Sequence, residues 1–336
     1  MKTGLDANGI KSLGTYADPS VSDVRVNIPL TNLAIGYKNS GFIGDSVLPI
    51  CDVEGESDRY FVFGMENFNV QDTMRAAGSD YNTMSFTLSN TSYTCDEYGL
   101  EYLLDDRIAR NANTPISMKD AVTMFLQDAL LLDYERRVVT QVTNTANYGA
   151  SNSTTLVGGD QWDTYVTNPA GDTSDPVEDI RAAINAIVMG CGQYPTSISF
   201  GWSVWSYLMY HPSILNEIRG RVDKTAGAAR PEDIKAMFDL QEVNIGRSLQ
   251  NTAAEGQTTT LGGVWSDSVV LGYAPKIPAI MIPSFGYTFQ VKNSLAVKTF
   301  RWKDYGEVIR VVQGIRDEVI TCNTAGYVML DVLGSI

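Results

Sequence analysis

His211 is the only imidazole in 336 residues. Any Ser/His/Asp or Cys/His nucleophile would have to use it, and its solitude excludes a histidine-based metal cluster. It stands in Tyr210-His211-Pro212-Ser213, between two helical patterns. That context reads as a partly buried helix-end residue that closes a turn before a new cap at Ser213. Asp105-Asp106 is the next candidate, because neighbouring carboxylates can divide the acid and base roles of a hydrolase. The simpler reading pairs Asp106 with Arg110, four residues on, in a charged stretch entering a helix. Gly190-Cys191-Gly192 holds two glycines of a dinucleotide loop, but it follows a helical pattern and Pro195 takes the third place. It reads as a helix stop. Gly201-Trp202-Ser203-Val204-Trp205 opens like a nucleophile elbow and lacks the closing glycine. Cys51, Cys95, Cys191 and Cys322 form no CxxC pair and read as buried thiols. The five tryptophans are scattered and read as core anchors. The expectation is no catalytic residue, no cofactor and no metal.

Composition narrows the classes further. Lys plus Arg is 25 against 39 for Asp plus Glu, a net charge of −14. Tight nucleic-acid binding rests on basic residues neutralising phosphates, so this balance argues against it. Apolar residues make 44% and charged residues 19%, which fits a packed chain of about two domains. The low charged fraction suggests surface covered by other copies of the chain. No run approaches the ~18 apolar residues of a membrane-spanning helix. The first six residues lack a signal-peptide core, so folding in a reducing cytoplasm is expected.

The elements that would position these residues read in a clear order. Residues 1 to about 45 are broken by Gly, Asn, Ser, Pro and Asp and read as an arm, with one run, Ile28 to Tyr37, able to dock elsewhere. A long β-hairpin follows, with Arg59–Phe63 as one strand and Tyr81–Leu88 as the other, where Met84, Phe86 and Leu88 alternate at period two. Such a hairpin is unstable alone and must lie on something. Thr114 and Pro115 then start a helix that runs to about Asn144, with Val122, Phe125, Leu126, Ala129 and Leu130 on one face, continued by Val138, Val139 and Val142. Residues 147–175 form a Gly/Ser/Thr/Asn-rich boundary. Asp175-Pro176-Val177-Glu178 opens the next helix with a cap, a proline and a carboxylate in its first turn. Short strands and helices follow, and the last 45 residues alternate as antiparallel strands.

The ordered segments resemble the major capsid proteins of tailed bacteriophages. The resemblance rests on Leu30-Thr31-Asn32-Leu33-Ala34 with Gly36-Tyr37, Phe42-Ile43-Gly44-Asp45 with Pro49, and Ser57 to Phe63. It continues through Cys95-Asp96-Glu97-Tyr98-Gly99-Leu100, Asp160-Gln161-Trp162, and Asp175 to Ile180. His211 to Leu215, Asn251 to Gly256 and Pro283 to Phe289 complete the set. It covers nearly the whole chain. What it implies is an α+β chain with the HK97-like capsid fold. The implied parts are an arm over 1–48, an extended hairpin loop over 49–100 and a peripheral domain over 101–175 with a spine helix at about 115–144. An axial domain over 176–289 and a return to the peripheral domain over 290–336 follow.

The implied function is a coat protein that assembles through hexamers and pentamers around phage double-stranded DNA, in the host cytoplasm. The implied partners are the chain itself, a portal, a separate scaffolding protein and a decoration protein, with weak nonspecific proximity to DNA. Some shells of this fold crosslink through a lysine of the hairpin loop; here none occurs between Lys38 and Lys119, so no crosslink is expected. About 45 residues before the hairpin are too few for a fused scaffold. Arg59, Asp72 and Arg75 on the hairpin, and Asp105, Asp106, Arg107 and Arg110 before the spine, are the candidate intersubunit contacts. The alternatives are an encapsulin-like compartment shell, which needs an enzyme cargo, and an acidic cytoplasmic hydrolase.

Overall fold

The structure is a computed structural model that describes residues 25–26, 41–63, 69–70, 72–75, 78, 80–83, 85, 87–107, 117–221, 227–254, 256–277, 283–303 and 305–334. The run Ile28–Tyr37, the strand residues Met84 and Phe86, the cap pair Thr114–Pro115, and Arg110 lie outside the described residues.

In chain order the first elements are β1 (Arg25–Val26), α1 (Gly44–Val47), β2 (Ile50–Val53), β3 (Ser57–Phe63), β4 (Leu88–Thr94) and β5 (Asp96–Asp105). Then come α2 (Met118–Val142), β6 (Ser153–Thr155), α3 (Thr164–Thr167), α4 (Pro176–Cys191), β7 (Ser197–Gly201), α5 (Trp202–Leu208) and α6 (Pro212–Arg221). The rest are α7 (Pro231–Met237), β8 (Glu242–Gly246), β9 (Leu249–Asn251), β10 (Leu261–Gly263), β11 (Val269–Gly272), β12 (Gly286–Val291), β13 (Ala296–Trp302), β14 (Gly306–Ile320) and β15 (Gly326–Leu330). The chain divides into two units, with the cuts falling inside β5, α2 and β14 and just before β13.

The smaller unit holds 1–37, 99–127 and 295–312. β13 pairs antiparallel with β14, from Ala296↔Val312 to Trp302↔Gly306, and β1 pairs on its other edge. Gly306 sits at a close approach: a Cβ there would stand 2.9 Å from Leu103 Cδ1 and 3.2 Å from the Leu104 carbonyl oxygen. The first turns of α2 bury Val122 and Leu126, while Phe125, expected beside them, is 65% exposed. A step of one residue turns a side chain about 100° around a helix, so neighbours with similar hydrophobicity face different ways.

The larger unit holds 38–98, 128–294 and 313–336. Its main sheet runs β6-β15-β11-β7-β8. Val269-Val270-Leu271 is buried on both faces in the central strand β11, as a continuous apolar run predicts. β15 pairs with β11 from Val269↔Met329 to Gly272↔Gly326, so part of the 290–336 segment shares a sheet with strands of the 176–289 segment. Valine, tyrosine and methionine in β15 are buried there. Gly326 is needed for that fit, because a Cβ would meet the Phe285 ring at 2.2 Å. α4 packs on β11 and β15 through Ile180, Ala183, Ile184 and Ile187. Its start is the one expected: Asp175 Oδ1 accepts from Val177 N at 3.1 Å and Pro176 follows. Its stop is Gly192, at φ 70°. The second half of α2 buries Leu130, Tyr134, Val138 and Val142 at four-residue spacing. Each such side chain contributes about 1.5–3 kcal/mol on leaving water. The helix is about 37 Å long at 1.5 Å per residue.

The tryptophan expectation holds for Trp162, Trp205 and Trp265, which are buried. Trp202 is instead 48% exposed, with the Arg247 guanidinium 4.9 Å above its ring. All four cysteines are free thiols; Cys95 and Cys191 are buried, Cys51 and Cys322 partly so.

Candidate assembly interface

The hairpin is built on a fixed base. β3 and β4 pair antiparallel from Ser57↔Thr94 to Phe63↔Leu88. The second strand is therefore Leu88–Thr94, not the expected Tyr81–Leu88; the described residues of 81–87 form no strand. The cause lies at the base, where Tyr93 stacks on Phe289 with ring centroids 4.5 Å apart and Tyr60 leans on the same ring at 5.7 Å. Tyr93, Cys95, Tyr287 and Phe289 are buried together. Thr94 N donates to Asp317 Oδ2 at 3.0 Å, and Cys95 N donates to the Glu56 carbonyl at 2.8 Å. These contacts set the register, and the polar run Ser89–Ser92 is carried along without an apolar alternation of its own. Burial, reinforced by Asp317, pushes the Cys95 thiol up to about 11. It is a packed thiol and no nucleophile.

Beyond the base, four large apolar residues among those described are exposed. Phe61 is 60% exposed, Val70 99%, Met74 84% and Tyr81 76%. The charged candidates nearby shape the connector itself. Asp72 Oδ1 accepts from Met74 N at 2.9 Å, and the Asp72 carbonyl accepts from Asn82 Nδ2 at 2.7 Å. The Arg75 guanidinium lies 4.2 Å over the Tyr81 ring. Arg59 is exposed on β3.

Of the candidates before the spine, Asp105 and Asp106 are engaged within their own chain. Asp105 Oδ1 accepts from Arg107 N at 2.7 Å. The Asp106 carboxylate is forked by Arg301 at 3.1 and 2.5 Å, a pairing 195 residues distant. Arg310 holds Glu101 in the same unit at 2.7 Å, and Lys119 meets Glu307 at 2.5 Å. Arg301, Arg310 and Glu101 escaped notice because ion pairs across long separations leave no spacing pattern. The apolar residues of the hairpin tip were visible as types, and only the structure shows that their own chain leaves them bare.

A buried carboxylate ties the hairpin's root to the spine. Glu135 on α2 accepts from Ile43 N at 2.9 Å, Gly44 N at 2.8 Å and Trp265 Nε1 at 2.6 Å. Burial pushes its pKa up, against the pull of those three donors. Two residues along, Arg137 forks Glu318 at 3.2 Å on both nitrogens and lies 3.5 Å over the Tyr98 ring.

The hydrolase reading finds little support in the geometry. Among the described residues no group of His, Cys, Asp and Glu could hold a metal ion. An open groove of about 690 Å³ is lined by Asp45, Thr196, Glu242, Tyr273, Lys276 and others, and neither Asp105, Asp106 nor His211 lines it. Glu242 is held there by Lys276 at 2.7 Å. His211 is buried, and α6 begins at Pro212, so the first-turn amide of Ser213 is taken by the His211 ring; the expected cap at Ser213 is replaced by His211. No helix among the described residues is long and apolar enough to cross a membrane.

No family model matches the chain. Two curated relatives are described as major capsid proteins. That of Burkholderia phage BcepMu is 27% identical over 323 residues, covering 94% of this chain and 99% of the relative. That of Pseudomonas phage JBD67 is 25% identical over 304 residues, covering 89% and 94%. Among solved structures, a phage-related protein from Bordetella bronchiseptica RB50 superposes with a TM-score of 0.69 at 24% identity, over 91% of this chain and 97% of that one. The capsid protein of Cyanophage P-SCSP1u gives 0.56 at 10%, over 94% and 93%. An encapsulin from Synechococcus elongatus gives 0.51 at 10%, over 92% and 96%, so the fold is shared with compartment shells. The fold is HK97-like, and the two curated relatives that span nearly the whole chain are described as major capsid proteins of phages.

Proposed function

We propose that the chain assembles through hexamers and pentamers into an icosahedral shell enclosing phage double-stranded DNA, and that it has no enzymatic role. The observation that carries this is the hairpin: a strand pair pinned at its base by Tyr93 on Phe289, presenting Phe61, Val70, Met74 and Tyr81 to solvent. Exposed apolar clusters on an ordered scaffold mark surfaces that another protein covers. Closed rings of identical copies supply that cover without leaving an edge.

In this reading residues 1–48 are the arm, 49–100 the extended loop, 101–175 and 290–336 the peripheral parts, and 176–289 the axial part, with β15 rejoining the axial sheet. Arg59, Asp72, Arg75, Asp105, Asp106, Arg107 and Arg110 supply polar contacts at or near subunit boundaries. The partners are a portal, a separate scaffolding protein and a decoration protein. The chain acts in the virion, after assembly in the bacterial cytoplasm. Its net charge of −14 keeps contact with DNA weak and nonspecific.

Particles purified from phage-producing cells test this reading against a compartment shell. The proposal expects this chain as their most abundant protein and a nuclease-protected duplex inside. Particles filled with an enzyme and free of DNA would establish the compartment instead.

A further inference from the structure

His211 is 1% exposed at the start of α6. Its Nδ1 accepts the amide hydrogen of Ser213 at 3.3 Å, so that nitrogen carries no proton. Nε2 bears the hydrogen and donates to Ser174 Oγ at 3.0 Å. The Ser174 hydroxyl donates onward to Asp172 Oδ1 at 2.6 Å, and the Ser174 amide donates to the same oxygen at 3.1 Å. Tyr165 of α3 meets the imidazole edge-on, with centroids 4.9 Å apart, and its hydroxyl donates to the Tyr207 carbonyl of α5 at 2.9 Å. One ring therefore joins the connector before α4, the short helix α3 and the turn between α5 and α6.

We propose that His211 is a proton-operated latch: the neutral ring joins the 172–174 connector to the first turn of α6, and a proton on Nδ1 breaks its hold on the Ser213 amide, leaving a charged ring that burial drives out of its site. A proton on Nδ1 sets one N–H against another at Ser213, and the first turn of α6 loses its acceptor. The imidazolium also sits where burial penalises charge. Asp172 and Asp175 of the connector face the ring and favour its charged form, but burial outweighs them and the pKa is lowered. Tyr165, whose own pKa burial raises, is uncharged in this range. On α6, Glu217 is held by Arg181 of α4 at 3.2 Å. The sign follows from linkage. The unfolded chain takes the proton first, so the latch's contribution is complete above about pH 6.5 and is lost as pH falls through the folded value. Because Ser174 immediately precedes the Asp175 cap, opening the latch loosens the entry to α4.

The latch lies within one chain and does not depend on the assembly reading. Hydrogen exchange by mass spectrometry tests it on the whole protein, with protection of 168–178 and 211–216 normalised to unstructured rates. Exchange of the imidazole C2 hydrogen reads the His211 pKa in the same samples. The expected result is a pKa below 6.5 and a loss of protection in both segments as pH falls from about 6.5 towards it, at most about tenfold per pH unit and levelling off below it. His211→Asn is expected to hold both segments at one protection level from pH 7.5 to 5.5. A pKa at or above 6.5, flat protection in the wild type, or an unchanged step in the variant would overturn the latch. Should the variant fail to fold, the coincidence of the two wild-type transitions decides.

Discussion

Trp265 Nε1 stands 2.6 Å from Oε1 of Glu135, a carboxylate without solvent exposure that also receives the amides of Ile43 and Gly44. Three donors converge on one helix residue. They fix α1, the segment that leads to the hairpin, against the middle of the spine. Gly44 suits this closeness, because a Cβ there would meet Glu135 Oε2 at 2.9 Å.

Removing the carboxylate leaves three buried donors without an acceptor. Glu135→Ala is expected to destabilise the subunit by about 3 kcal/mol or more, and Trp265→Phe by about 1–3 kcal/mol. Urea unfolding followed by tryptophan fluorescence checks Glu135→Ala; circular dichroism checks Trp265→Phe.

Burial raises the Glu135 pKa above its unfolded value. The folded chain then binds this proton more readily than the unfolded one. The associated stability is complete below about pH 4.3 and is lost as pH rises through the folded value. Unfolding midpoints of wild type and Glu135→Gln, compared from pH 4 to 7, should converge on a constant difference only above that value. A difference independent of pH throughout would refute the assignment.

Tyr93→Ala removes a buried aromatic from the hairpin base and is expected to cost about 3–5 kcal/mol. Local loss should precede global unfolding, so limited proteolysis between 57 and 94 should accelerate before the fluorescence changes. Uniform acceleration along the chain would place the base elsewhere.

Polar replacement of Val70, Met74 and Tyr81 together touches nothing buried. It should move stability by no more than about 0.5 kcal/mol per site while abolishing assembly. Light scattering beside an unfolding curve separates the two effects. Unimpaired particles would show that the hairpin tip is not an interface.

No lysine lies between Lys38 and Lys119, so mature particles should dissolve in SDS to a single 36.8 kDa band. A ladder of multiples would contradict this.

Local signals were easy to read. Asp175, Pro176 and Gly192 lie within or beside the helix they bound, and their roles follow from backbone chemistry alone. The apolar face of Leu126, Leu130, Val138 and Val142 likewise marks the spine. What stayed hidden depends on distant partners. Arg110, the partner that spacing offers Asp106, lies outside the described residues, and Arg301 reaches Asp106 through sheet pairing. Glu135 carries no local signal, because α1 and Trp265 close over it from distant parts of the chain. The second hairpin strand was placed seven residues early, because its register is set by Tyr93 on Phe289 and not by alternation at Met84 and Phe86. Phe125 carried the composition of a core residue and faces outward. The candidate contacts were legible as charges, but no spacing distinguishes a pair within a chain from a pair between chains.

Electron microscopy of the protein expressed together with its phage's assembly genes, with particle mass by light scattering, tests the central claim most directly. The account predicts hollow icosahedral particles, or capsomer rings of five and six, built from the 36.8 kDa chain. A monodisperse 36.8 kDa monomer under those conditions, with the hairpin residues still bare, would contradict it.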